Sequence, residues 1–160
     1  MATPAGQIKG IVEKEIKEAP EKFPLLQDYD MFIGPLPEDA NVRSNAVTFI
    51  DYGGGTGHPG YRLDFPAVQI FMRSRSTRYD GVEVMTEVKD IFMNREPEDL
   101  EDGSETRIVA TNVIGDINFI GADENNQQYF TLNIDLITEP GDPLGRSKRE
   151  QLPTAEATER

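Results

Sequence analysis

The sequence predicts an α+β fold, an antiparallel or mixed sheet of about four to five strands flanked by two helices. Two segments repeat apolar residues at spacings of three and four, whereas the others alternate. The alternating segments follow one another through mostly short connections, which suit antiparallel neighbours better than the long crossovers of a parallel sheet.

The first helix covers residues 4–19, PAGQIKGIVEKEIKEA. Thr3 is placed to cap it, Pro4 fits its first turn, and Ile8, Ile11, Val12 and Ile16 form one stripe. Pro20 stops it, because proline disfavours helical geometry in the residue before it. YDMFIGPLP (29–37) is expected to hold a short strand or an irregular extended segment, closed by two prolines. NAVTFIDYG (45–53) is a better strand, with Val47, Phe49 and Asp51 on one face and Thr48, Ile50 and Tyr52 on the other.

A glycine-rich stretch follows, and then YRLDFPAVQIFMRSR (61–75). There Val68, Ile70 and Met72 alternate with Gln69, Phe71 and Arg73. Helical spacing returns in residues 79–93, where Val84, Met85, Val88, Ile91 and Phe92 share a stripe. NREPEDLEDGSET (94–106) reads as a solvated acidic loop. RIVATNVIGDINFIGA (107–122) and QQYFTLNIDLIT (127–138) are two strands joined across ADENN, with Phe130, Leu132, Ile134 and Leu136 as an inward set. The expected organisation is one domain over residues 1–138 and a flexible tail over 139–160, whose composition has few apolar residues and no period.

Composition narrows the function. The chain has 160 residues, enough for one real core. It has no cysteine, which excludes disulfides and thiolate metal sites. No run approaches the length of a membrane helix and the N-terminal residues lack an apolar leader, so a soluble protein with no membrane partner is expected. The net charge is −13, from 29 acidic and 16 basic residues, which argues against dedicated nucleic-acid binding through phosphate contacts.

GTGHPG (55–60) spells the dinucleotide fingerprint, and Asp80 stands about where that motif puts its ribose-binding acid. The fingerprint works by opening a helix whose N–H groups receive pyrophosphate. Here it precedes an alternating segment that contains Pro66, and Pro59 removes one N–H from the supposed cradle. The expected structure is a hairpin connection. His58 is the only histidine, so a two-histidine metal site is impossible and a catalytic triad would depend on this one residue. The acids of 94–106 lack the order of a calcium loop. No catalytic, cofactor or metal residue is assigned.

Arg73, Arg75 and Arg78 gather at a strand-to-helix junction, where they either pair with local acids or meet the acidic surface of a neighbouring copy. With Gly55, Gly57 and His58 of the glycine stretch, they are the candidate interface residues.

The strand PAVQIFMRSRS, the helix YDGVEVMTEVKDIF and the closing strand YFTLNIDLIT together resemble the tail-terminator-like and minor capsid proteins of tailed bacteriophages, over about residues 5–138. The resemblance implies a non-enzymatic virion protein, made in a bacterial host cytoplasm, that caps the tail tube as a ring, commonly a hexamer. It also implies partners in the tail tube and the head connector, and no cofactor. Two other readings stay open at this point. One is a small acidic ligand-binding domain or enzyme with its site at Gly53–Gly60, and the other an acidic protein-binding adaptor that mimics nucleic acid.

Overall fold

A computed structural model describes residues 3–36, 45–58, 63–75, 78–93, 107–124 and 127–139. Helix α1 spans Pro4–Glu18 and α2 spans Arg78–Phe92. Five strands, β1 (Asp30–Ile33), β2 (Ala46–His58), β3 (Leu63–Ser74), β4 (Arg107–Ala122) and β5 (Gln128–Glu139), form one sheet in the order β1-β2-β3-β5-β4. The β1–β2 pair is parallel and the other three are antiparallel, so the sheet is mixed. The expected α+β class holds.

Helix α1 starts where the sequence places it. Thr3 Oγ1 accepts the Gly6 N–H at 3.1 Å, and Asp51 Oδ1, reaching from β2, accepts the Ala5 N–H at 2.9 Å. Two of the orphan donors at the helix N-terminus are thereby satisfied, one of them by a long-range contact that fixes α1 against the sheet. Ile8, Ile11 and Val12 are buried on that face. The chain then makes two short 3-10 turns, Pro20–Lys22 and Leu26–Asp28, before β1.

Both helices pack on the same side of the sheet. Val47 and Phe49 of β2, Val68, Ile70 and Met72 of β3, and Phe130, Leu132, Ile134 and Leu136 of β5 meet Val84, Met85, Val88, Ile91 and Phe92 of α2 in one core. These are the inward sets that alternation and helical spacing predict. Burial at this scale is the main source of stability, at roughly 25 cal/mol per Å² of apolar surface.

The sheet edges are tied by polar contacts. Thr48, fully buried, donates to the Phe32 and Gly34 carbonyls and so seats β1 on β2. The Tyr29 and Ser74 hydroxyls lie 2.6 Å apart in a buried hydrogen bond that joins the start of β1 to the end of β3. At the far side, Thr111 Oγ1 donates to the Phe92 carbonyl at 3.2 Å, capping the last turn of α2.

The glycine stretch differs from the expected turn. Residues 53–58 continue β2, so the β2–β3 connection shrinks to the four residues between His58 and Leu63. Pairing runs Asp51↔Val68, then Gly54↔Pro66, with one extra residue on β2. Gly53 and Gly54 have φ of 74° and 128°, conformations that only glycine adopts readily. The glycines therefore build a β-bulge inside the hairpin, opposite a proline that has no N–H to offer the ladder. The last strand also runs one residue further than expected, to Glu139, which pairs with Arg107. The expected acidic loop at 94–106 and the expected tail from residue 140 lie outside the described residues.

Candidate functional site

The six interface candidates divide between two places. Gly55, Gly57 and His58 lie in the distal half of β2, with Gly55 opposite Phe65 and His58 opposite Leu63. The side chain of His58 lies outside the described residues, as does that of Arg78, which opens α2. Arg73 and Arg75 stand at the other end of β3. Arg73 is 9% exposed, in register with Ala46 and Tyr129, whereas Arg75 is exposed and its backbone N–H donates to Asn45 Oδ1 at 2.8 Å. Arg73 and Arg75 thus differ in environment, and of these two side chains only that of Arg75 is presented to a partner. Alternation places Arg73 on a face but says nothing of how deeply its stem is covered.

The fingerprint GTGHPG opens no helix. Its described part is strand, it leads to β3, and Asp80 sits in the first turn of α2, two elements along. The backbone N–H groups of β2 face ladder partners instead of a phosphate cradle. Among the described residues no group of three His, Asp or Glu side chains is placed to hold a metal ion. Among them, too, no helix is long and apolar enough to cross a membrane.

What the sequence did not single out are the two edges of the sheet. Strand β1 is only four residues long and its outer side is unpaired among the described residues. Strand β4 is sixteen residues long, and its outer side is likewise unpaired among them. Open edges present rows of backbone donors and acceptors to any adjoining chain. Apolar side chains are exposed at both: Ile33 (53%) on β1, and Ile114 (41%), Phe119 (38%) and Ile120 (58%) on β4. A signal for the second group was present, because alternation in RIVATNVIGDINFIGA breaks at Gly115 and Asp116 and again at Ile120. The register shows why. Beyond a register shift between Ile108 and Ala110, two further bulges interrupt β4, between Ile114 and Asn118 and between Phe119 and Gly121. Asp116 anchors the first, accepting the Ile117 N–H at 2.7 Å and pairing with Lys89 of α2 at 3.1 Å. The Ile117 N–H, and after it Lys89, hold the Asp116 carboxyl below the usual carboxylate range. The second bulge leaves Ile120 without a cross-strand partner.

Two recesses adjoin these edges. One, of ≈ 220 Å³, lies over Phe65, Asn112 and Ile137. The other, of ≈ 320 Å³, runs beside β1 between Ile16 and Lys17 of α1 and the segment from Leu26 to Met31.

One titratable group is perturbed near the second recess. Glu87 of α2 receives the N–H groups of Leu26 and Leu25, yet its Oε1 is buried without a hydrogen-bond partner. Burial raises its pKa, outweighing those two hydrogen bonds, and nearby Glu83 adds to the rise. A carboxyl whose pKa is higher folded than unfolded favours the fold most below its unfolded pKa, and that contribution is lost as pH rises through the folded value. Glu87→Gln is expected to flatten the fall in Tm as pH climbs from about 4.5 toward neutrality. Thermal melts of both proteins across that range check this, and parallel curves would show that Glu87 does not titrate against folding.

Residues 24–140 match the family model described as bacteriophage tail terminator protein. No curated protein matches the chain. Among solved structures, a chain of the virion of a native gene transfer agent particle superposes with a TM-score of 0.61. That match is 9% identical and covers 80% of this chain and 91% of that one, a likeness of fold.

Proposed function

The chain belongs to the bacteriophage tail terminator family, a class of virion structural proteins without enzymatic activity, and on that premise we propose that it caps the phage tail tube as a homo-oligomeric ring at the head–tail junction. The family match over residues 24–140 carries this reading. The ring has six copies, and its neighbours in the virion are the tail tube and the head connector. Two features support assembly by protein contact: a sheet with both edges open among the described residues, and apolar side chains exposed at each edge. The net charge of −13 keeps free copies apart until such contacts, or a partner's positive charge, outweigh repulsion. Arg75, Arg78 and the β2–β3 hairpin end with Gly55, Gly57 and His58 lie at the interfaces.

Native mass spectrometry of the purified chain over a range of concentration, with and without tail tubes, tests the proposal. A closed ring, alone or on the tube, is the expected result. A chain that neither oligomerises nor binds tail tubes or connectors would sink it. Arg75→Glu is expected to weaken assembly at least about tenfold, the effect of losing ~1.4 kcal/mol at a contact, with Tm unchanged because the side chain is exposed. Arg73→Glu is the poorer probe, since its burial makes a loss of stability hard to separate from a loss of contact.

A further inference from the structure

The two open edges of the sheet differ in shape, and they complement each other. At the β4 edge, Ile120 stands in a bulge with no partner on β5, 58% exposed and flanked by half-exposed Phe119. At the β1 edge, a recess of ≈ 320 Å³ is lined by part-exposed Ile16 and Met31 and by fully buried Leu26, with Glu13, Lys17 and Asp30 beside them. The recess holds several times the volume of a water molecule, enough for an aliphatic side chain. We propose that the β4 edge of one copy docks on the β1 edge of the next, with Ile120 entering the recess beside Met31.

Charge supports a second copy as the occupant. Lys17, on the rim of the recess, has no ion-pair partner among the described residues, and Glu124, just past the end of β4, is exposed. Docking brings these opposite charges to the same rim, which matters in a chain that carries a large excess of acid. Both edges also bring strand backbone that is unpaired among the described residues, so a short stretch of main-chain hydrogen bonding adds to the apolar contact.

A knob on one edge and a recess on the other make the contact heterologous. Each copy keeps one free edge after joining, so the assembly either closes into a ring or grows without limit. The inference rests on the ring reading and adds the surfaces that meet, with β4 as donor and the α1–β1 recess as acceptor.

The absence of cysteine makes the test direct, because introduced thiols are the only ones present. Gln27 lines the recess and Ile120 is exposed, so Gln27→Cys and Ile120→Cys are expected to fold. Treated with a short bis-maleimide, a mixture of the two single variants should give covalent dimers and nothing larger. Each variant alone should stay monomeric, and the double variant should give a ladder. A mixture that stays unlinked, or an Ile120→Cys protein that links to itself as well as the mixture does, overturns the edge contact. The two proposals fail separately. A native ring with no cross-link refutes the edge pairing and leaves ring capping intact. Cross-linked ladders from a chain that never binds tail tubes support the edge pairing and refute the capping role.

Discussion

Phe130→Ala should remove about 4 kcal/mol of folding stability, the upper part of the range for truncating a buried aromatic ring. Phe130 is fully buried on β5, between β3 and the edge strand β4, with the Phe119 ring 5.4 Å away at a 54° tilt. On its other side α2 comes so close that a Cβ at Gly81 would lie 2.6 Å from the Phe130 Cζ. The glycine lets helix and ring touch, which links the two effects. Gly81→Ala alone should destabilise by about 2 kcal/mol, since the overpacking cost exceeds the gain in helix propensity. In the Phe130→Ala background the same change should recover part of the loss, because the added methyl enters the vacated space. Urea titrations of the four proteins in the cycle give these values. Strictly additive losses would show that the ring and the glycine do not meet.

Gly54→Ala should cost about 3 kcal/mol, combining backbone strain with an unavoidable clash. Its φ is 128°, and an added Cβ would run into the Phe65 carbonyl oxygen and lie 2.8 Å from the Pro66 Cα, both backbone groups that cannot swing aside. Gly53 is the natural control. Its φ is 74° and an added methyl there would meet nothing within 4 Å, so Gly53→Ala should cost only the roughly 1 kcal/mol of a left-handed alanine. The difference between neighbouring glycines separates crowding from conformation. Equal losses at the two sites would mean that the bulge relaxes around Gly54.

Much of this architecture was legible in the sequence. Both helices, the long strands and the inward set of β5 follow from periodicity, because a residue's face depends on spacing alone. Sheet order does not. Alternation tells Phe130 and Leu132 which way to point, but not that β5 inserts between β3 and β4. The parallel pairing of β1 was also hidden, since a four-residue strand carries little pattern. The glycine stretch misled for a physical reason: positive φ serves turns and bulges alike, and only the pairing partner distinguishes them. At the candidate interface the charges were visible and their burial was not, so Arg73 and Arg75 looked equivalent. The breaks in alternation at Gly115, Asp116 and Ile120 mark β4 as irregular, but the exposure of Ile114, Phe119 and Ile120 follows from its edge position, a property of the assembled sheet.

The placement of β5 governs how the chain is made. Strand β4 emerges from the ribosome before β5 and has no pairing partner until the residues up to Glu139 follow it. Helix α2 waits as well, since Phe130, against which Gly81 packs, is still to be synthesised. The nascent protein therefore carries its longest strand, with its exposed apolar groups, unpaired on both sides until β5 appears. Closure comes late, when β5 pairs with β3 on one side and with β4 on the other. Long-range pairing of this kind is slow and exposed to aggregation, and its timing couples correct folding to the synthesis of one strand.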